Sequence, residues 1–249
     1  MAEIRLDSVT VDFPIYNAKA RSLKNSLVYR GTGGHIGRDA GNRFCVRALE
    51  NICFQFKHGD RVGLVGGNGA GKTTLLRVLA GVYEPTIGNV FRKGKVASLF
   101  DISLGLDPES TGYENIMLRG LFLGLTPRQV HERTEEIADF TELGDYLAMP
   151  VRTYSTGMML RLAFAVCTSI SADILLMDEW LTAGDAAFVE KAERRLESLV
   201  DRSSVLVLAS HSVALLKEVC STAILLDGGR AIIHGSVDEV LGAYRESRA

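Results

Sequence analysis

The sequence predicts an α/β protein with a mainly parallel core sheet, and three observations carry that reading. From residue 49 onward, short apolar runs alternate with stretches of helical period, as βαβ units require. The runs Val62 to Val65, Asp173 to Asp178 and Ser204 to Ala209 are almost continuously apolar rather than alternating, the mark of strands covered on both faces. Finally, the segment Arg61 to Ala80, RVGLVGGNGAGKTTLLRVLA, places a Gly-rich turn between such a strand and a helix.

In chain order, Ile4, Leu6, Val9, Val11 and Phe13 read as a half-exposed strand. Residues 14–47 are polar, basic and Gly-rich without a clear period, and are expected to form either a functional insertion or a mobile loop. Leu49 to Phe56 reads as a strand, and His58-Gly59-Asp60 as the turn into the strand at Val62. The next helix is expected to bury Leu75, Val78, Leu79 and Val82. Tyr83 to Gly88 is turn chemistry, Lys95 to Phe100 a strand and Asp101 to Glu109 a loop. Thr111 with Glu114 fits a capping box before an apolar helix from Asn115 to Leu125, and Thr126-Pro127 starts another. That second helix carries Val130, Ile137 and Phe140 on one side, and residues of roughly 102–165 are expected to form a helical lobe. Phe188, Ala192, Leu196 and Leu199 mark a further amphipathic helix. Gly228-Gly229 joins a hairpin, and Ser236 with Glu239 caps the last helix.

Bulk composition excludes several classes. A formal net charge of −2 gives no electrostatic reason to expect nucleic acid as the main partner. No run approaches the ~18 to 20 apolar residues of a membrane span, and the N-terminus shows no basic region followed by an apolar stretch. Cys45, Cys53, Cys167 and Cys220 lack CxxC spacing and are expected as buried free thiols in a reducing compartment.

The chemistry sits in the Gly-rich turn, Gly66, Gly67, Asn68, Gly69, Ala70, Gly71, Lys72, Thr73, Thr74. This is the full Gly-x4-Gly-Lys-Thr phosphate-binding pattern in the strand–loop–helix context it requires. The glycines let successive backbone N–H groups line a concave nest at the positive end of the helix dipole. Lys72 is expected to reach the β- and γ-phosphates and Thr73 to place its hydroxyl on Mg²⁺. Asp178 and Glu179 end a buried strand where metal and water must be handled. Asp178 is therefore assigned to the metal, directly or through water, and Glu179 to polarising the attacking water. His211, just past another buried strand, is placed to hydrogen-bond the γ-phosphate or that water.

Five motifs in order carry a family resemblance: GNGAGKTT, the run Tyr154-Ser155-Thr156-Gly157-Met158, ILLMDEW, Ala183-Gly184-Asp185, and Ser210-His211. Over nearly the whole chain the sequence resembles ATP-binding cassette (ABC) proteins. The resemblance implies a single ABC nucleotide-binding domain over 1–249, of the P-loop NTPase type. Its α/β fold would combine the mainly parallel sheet with an N-terminal antiparallel β part and an inserted helical subdomain. It further implies ATP and Mg²⁺ as ligands and a head-to-tail homodimer. In that dimer Ser155 and Gly157 of one subunit would touch the ATP held by the other. An aromatic residue past the first strand would stack on adenine, Phe13 or else Tyr16.

Departures from the family pattern narrow the resemblance. Tyr154 and Met158 replace the usual Leu and Gln of the signature, and Asp101 stands where a metal-side Gln is expected. With DPESTGYENI and MPVRTYSTGM, these features look like exporters of bacterial polysaccharides, and VDFPIYNAKARSLKN ahead of the Gly-rich insertion looks closest to the short O-antigen form without a carbohydrate-binding C-terminal domain. The implied setting is peripheral, on the cytoplasmic face of the inner membrane, beside a separate polytopic permease, with the polysaccharide not bound directly by this chain. Leu104 and Leu106 beside Gly105 are a candidate docking point for that permease. The alternatives are an ABC ATPase of DNA repair or of the ribosome, and an importer ATPase.

Overall fold

Ten strands and seven helices are present among residues 1–15, 35–38, 44–100, 105–179 and 186–247, which the computed structural model describes. In order they are β1 (Glu3–Pro14), β2 (His35–Arg38), β3 (Phe44–Lys57), β4 (Arg61–Val65), α1 (Lys72–Leu79), β5 (Ile87–Lys93) and β6 (Val96–Leu99). Then follow α2 (Gly112–Phe122), α3 (Pro127–Thr141), the short 3₁₀ turns Gly144–Ala148 and Val151–Thr153, α4 (Thr156–Thr168) and β7 (Ile174–Asp178). The chain closes with α5 (Ala186–Arg202), β8 (Val205–Ala209), α6 (Val213–Val219), β9 (Thr222–Asp227), β10 (Arg230–Ser236) and α7 (Val237–Glu246). Contacts divide the chain into two compact units, one of residues 1–96, 176–179 and 204–249, the other of 97–175 and 180–203.

The first unit holds an antiparallel sheet in the order β2-β3-β1-β5. Ile4, Leu6, Val9 and Val11 of β1 are buried, and the break in their alternation after Leu6 is a register shift against β3. Ser8 takes up that shift with a positive φ of 51°. The second sheet runs β10-β9-β4-β8-β7-β6, with β4 parallel to both β8 and β9 and β10 antiparallel to β9. In β4 and β8 every residue from Val62 to Val65 and from Val205 to Ala209 is buried, which explains their continuous apolar runs.

Helix α1 stops at Leu79 rather than running on through Val82. The Gly81 and Val82 N–H groups donate to the carbonyls of Val78 and Arg77, a Schellman closure that turns Val82 out to 60% exposure. Arg92 of β5 covers the same helix end, donating to the carbonyls of Leu79 (3.0 Å) and Val78 (2.6 Å). Strand β5 is an element the sequence reading does not include, and its first two residues, Ile87 and Gly88, fall in the expected turn. Its burial alternates only between exposed and half-buried, so the sequence IGNVFRK shows no apolar face. Cys53 is likewise exposed on the outward face of β3, whereas Cys45, Cys167 and Cys220 are buried. Burial pushes the Cys220 thiol up to about 12, so it stays protonated at neutral pH.

In the second unit both expected helix starts carry full capping boxes, Thr111 with Glu114 and Thr126 with Gln129. Helix α2 begins at Gly112, one turn ahead of Asn115. The fully buried Asn115 side chain faces back instead, accepting from Asp107 N–H and donating to the carbonyls of Asp107, Ser110 and Thr111. Phe188 of α5 meets Phe140 of α3 and Phe164 of α4 edge to face, those two rings are tilted against each other, and the Arg161 guanidinium lies 4.7 Å from the Phe188 ring centre.

Gly120 of α2 packs against Val130 of α3, and a β-carbon at Gly120 would run into both Val130 methyls. Gly to Ala inside a helix ordinarily stabilises by about 0.5–1 kcal/mol. Here the steric term wins, and Gly120→Ala is expected to lower unfolding free energy by about 1–3 kcal/mol in urea denaturation. A gain in stability would show that the two helices separate freely.

Candidate functional site

Strand β4 ends at Val65 and α1 begins at Lys72, so the Gly-rich turn lies at the C-terminal end of a central parallel strand. Gly71 is the N-cap of α1, with φ of 106°, and an added β-carbon there would sit 2.9 Å from the Ala48 carbonyl oxygen. Only glycine fits both demands. The cap itself is unusual. Helices α2, α3, α4, α6 and α7 are closed by the side chains of Thr111, Thr126, Ser155, Ser212 and Ser236, each accepting from a first-turn N–H. Helix α1 has neither a side-chain cap nor an acidic residue in its first turn. Its leading N–H groups and the positive end of its dipole therefore face outward beside exposed Asn68 and Gly69.

Charged and hydroxyl groups surround that helix end. Lys72 is 9% exposed, and its Nζ donates to the carbonyls of Gly66 (2.7 Å) and Gly67 (3.0 Å). These two bonds hold the ammonium against the loop's own backbone. Thr73 Oγ1 donates to Asp178 Oδ2 at 2.6 Å, joining the first turn of α1 to the end of β7 across 105 residues of sequence. Glu179 follows, exposed, with its N–H donating to the Ala209 carbonyl at the end of β8 (2.8 Å). Its φ of 68° is left-handed, an arrangement that costs a non-glycine residue of order 1–3 kcal/mol. His211 lies two residues past β8, exposed, just ahead of Ser212 at the cap of α6. Because β4, β8 and β7 are successive neighbours, Lys72, Thr73, Asp178, Glu179 and His211 all follow or close the C-terminal ends of adjacent strands in the first unit.

Phe13 is the penultimate residue of β1, 37% exposed, with its ring edge-on to Tyr83 at 5.3 Å between centres. Beside it Arg47 grips Asp12 with two bonds, Nε to Oδ1 (2.8 Å) and an Nη to Oδ2 (3.0 Å), which hold the guanidinium above its ordinary pKa. Neither Tyr83 nor this pair stood out in the sequence, since no local spacing connects residues 35 positions apart. In the second unit Ser155 caps α4, accepting from the Met158 N–H at 3.2 Å, and Gly157 lies in its first turn. Both line a cavity of about 480 Å³ with Glu142, Leu143, Tyr146, Met158 and Arg161. Leu106 is half-buried. Tyr16, Asp101, Leu104 and Ala183 to Asp185 lie outside the described residues.

The ABC transporter family matches residues 49–182, from within β3 to beyond the end of β7. The chain belongs to the ABC transporter family. This ABC protein is 48% identical to the O-antigen export system ATP-binding protein RfbE of Yersinia enterocolitica, over 92% of its own length and 96% of the relative's. It is 33% identical to the O-antigen export system ATP-binding protein RfbB of Klebsiella pneumoniae, over 99% of this chain and 98% of that one. Its fold is similar to that of the ATP-binding cassette MJ0796, solved as a dimer in a post-hydrolysis state bound to ADP and Pi. That likeness has a TM-score of 0.67 at 20% identity and covers 94% of this chain and 98% of the other.

The strained backbone at Glu179 gives a direct test of local design. In Glu179→Gly, relief of the left-handed φ offsets glycine's entropy cost. Unfolding free energy is expected to stay level or rise by up to about 1 kcal/mol. A loss greater than that would mean the side chain itself holds the turn.

Proposed function

We propose that this ABC protein is the ATP-hydrolysing subunit of an exporter that moves a bacterial surface polysaccharide, a lipid-linked glycan of O-antigen type, across the inner membrane. The observation that carries the ATPase reading is the uncapped N-terminus of α1 flanked by Lys72 and by the Thr73–Asp178 pair. The full-length relatives named for O-antigen export supply the cargo class.

In this reading the N–H groups from Gly67 to Thr74 bind the phosphates of ATP, with the α1 dipole adding to the attraction. Lys72 swings from the Gly66 and Gly67 carbonyls to the β- and γ-phosphates, exchanging two neutral acceptors for charged ones. The Thr73 hydroxyl and the Asp178 carboxylate are both oxygen donors already at hydrogen-bond distance, the donor set that suits Mg²⁺. Among the described residues no group of three or more His, Cys, Asp or Glu could form a closed metal cage. A site of this kind is completed by substrate phosphates and water, as Mg²⁺ sites are. When bound, the ion neutralises charge on the β- and γ-phosphates. Asp101, by its place in the sequence, is proposed as a further carboxylate on the metal side. Glu179 polarises the attacking water, and His211 holds the γ-phosphate or that water in line. Phe13 packs against the adenine ring.

The whole chain works as one cassette, and two copies associate head to tail. Ser155 and Gly157 at the start of α4 then meet the nucleotide of the other copy. No helix of the described residues is long and apolar enough to cross a membrane, so a separate polytopic permease provides the path. The protein works peripherally at the cytoplasmic face of the inner membrane and transmits ATP-driven closure without gripping the glycan.

Two substitutions separate binding from chemistry. Lys72→Ala removes a phosphate ligand and is expected to weaken both ATP binding and turnover. Glu179→Gln keeps shape but loses the charge that polarises water. It is expected to retain ATP while turnover falls on the order of a hundredfold or more. Near-normal hydrolysis by Glu179→Gln in a phosphate-release assay would move water activation to another residue. For the cargo, a deletion strain is expected to lose its surface polysaccharide and to hold the lipid-linked glycan inside. A strain with unaltered surface glycan would contradict the export role.

A further inference from the structure

The end of β1 and the phosphate loop are both fastened to one short stretch of β3. Along the β1–β3 ladder Val11 faces Leu49 and Asp12 faces Arg47, so Ala48 is an extra residue, a bulge that tilts the local backbone. On one side of that bulge Arg47 holds Asp12 with its two-pronged bond, and the Asp12 side chain is only 5% exposed. Phe13, the next residue, faces Val46. On the other side the Ala48 carbonyl lies where a β-carbon on Gly71 or Gly229 would meet it, at 2.9 and 2.6 Å. The Glu50 N–H donates to the Gly229 carbonyl (2.8 Å), and the Gly229 N–H donates to the Ala70 carbonyl of the phosphate loop (3.1 Å). Arg230 clamps the same hairpin turn to Glu50, Nε to Oε2 at 2.8 Å. An unbroken line of bonds therefore runs from Asp12 through residues 47–50 and Gly229 to Ala70, all within the first unit.

We infer that Arg47 is a positioning residue: its grip on Asp12, beside the Ala48 bulge, sets the distance between the aromatic ring of Phe13 and the phosphate loop. This rests on the proposed reading of Phe13 as the residue that packs against the base. Arg47 need not touch the nucleotide. It makes the base-facing ring and the phosphate cradle parts of one rigid frame, so that a purine and a triphosphate at the right separation are bound together. A bidentate guanidinium suits this role, because two parallel bonds fix orientation as well as distance. Loss of the clip leaves the loop bonded through Gly229 and Glu50 and frees only the ring end.

The test compares Kd for Mg²⁺–ATP with Kd for inorganic tripolyphosphate, measured by titration calorimetry on the full chain. Phe13→Ala, Arg47→Ala and the double variant are each checked for folding by circular dichroism. Arg47→Lys, which keeps the charge but not the fork, is measured beside them and serves if Arg47→Ala does not fold. The preference for ATP over tripolyphosphate is expected to fall roughly tenfold in Phe13→Ala and in either Arg47 variant, the scale of a lost base–aromatic stack. Tripolyphosphate affinity stays unchanged, and the double variant falls no further than Phe13→Ala alone. If Phe13→Ala loses the preference while both Arg47 variants keep it, the positioning role is overturned and the base contact stands. Equal weakening of both ligands by the Arg47 variants also overturns it, since the arginine then serves the fold generally. If Phe13→Ala keeps the preference, the base reading fails, and the inference with it.

Discussion

The first-turn N–H groups of α1 have no intrahelical partner, and among the described residues no side chain caps them. Five other helices solve the same problem with a Ser or Thr at the cap, at a gain of about 1 kcal/mol each. Leaving α1 open gives up that gain and places a cluster of donors at the end of a buried parallel strand. The rest of the first unit is arranged to keep this cluster in place. Gly71 allows the left-handed entry into the helix, the Ala48 and Gly229 backbones press against its outer side, and Arg92 satisfies the carbonyls at the far end. A helix of eight residues is about 12 Å long, so a guanidinium at its C-terminus and a cradle at its N-terminus belong to one short dipole.

Placement of the reactive groups follows from the order of strands. With β8 between β4 and β7, the phosphate loop, the Asp178–Glu179 pair and His211 all follow or close the C-terminal ends of adjacent strands. The bond from Thr73 to Asp178 and that from the Glu179 N–H to Ala209 tie these exits together. Strain at Glu179 is then the consequence of a sharp turn made immediately after a strand whose last residue must face Thr73. The surrounding sheet, buried on both faces, absorbs that cost.

Much of this was legible in the sequence because it is local. The phosphate loop, the carboxylates ending β7, the capping boxes at Thr111 and Thr126 and the Gly228-Gly229 hairpin each lie within a few consecutive residues. What escaped was either weakly patterned or distant in sequence. Strand β5 has two partly wet faces, and α6 has only seven residues, too few to show a period. Val82 matched the helical spacing of α1, but the Schellman bonds at Gly81 decided its fate one turn earlier. Cys53 sits between apolar Ile52 and Phe54, yet the two-residue period of β3 points it outward. The Asp12–Arg47 clip and the Arg92 cap join residues that no sequence rule pairs, and only the bulge at Ala48 and the turn after α1 bring them together.

The most direct measurement of the central claim is amide hydrogen exchange, read residue by residue, with and without Mg²⁺–ATP. Slowed exchange is expected at the amides of Lys72, Thr73 and Thr74, the donors left open at the start of α1, and at those of Asn68, Gly69 and Gly71 in the loop before it, while the already capped first turns of α2 and α7 change little. Saturating ATP binding with no added protection at those amides would contradict the account, because the nucleotide would then be held by something other than this helix end.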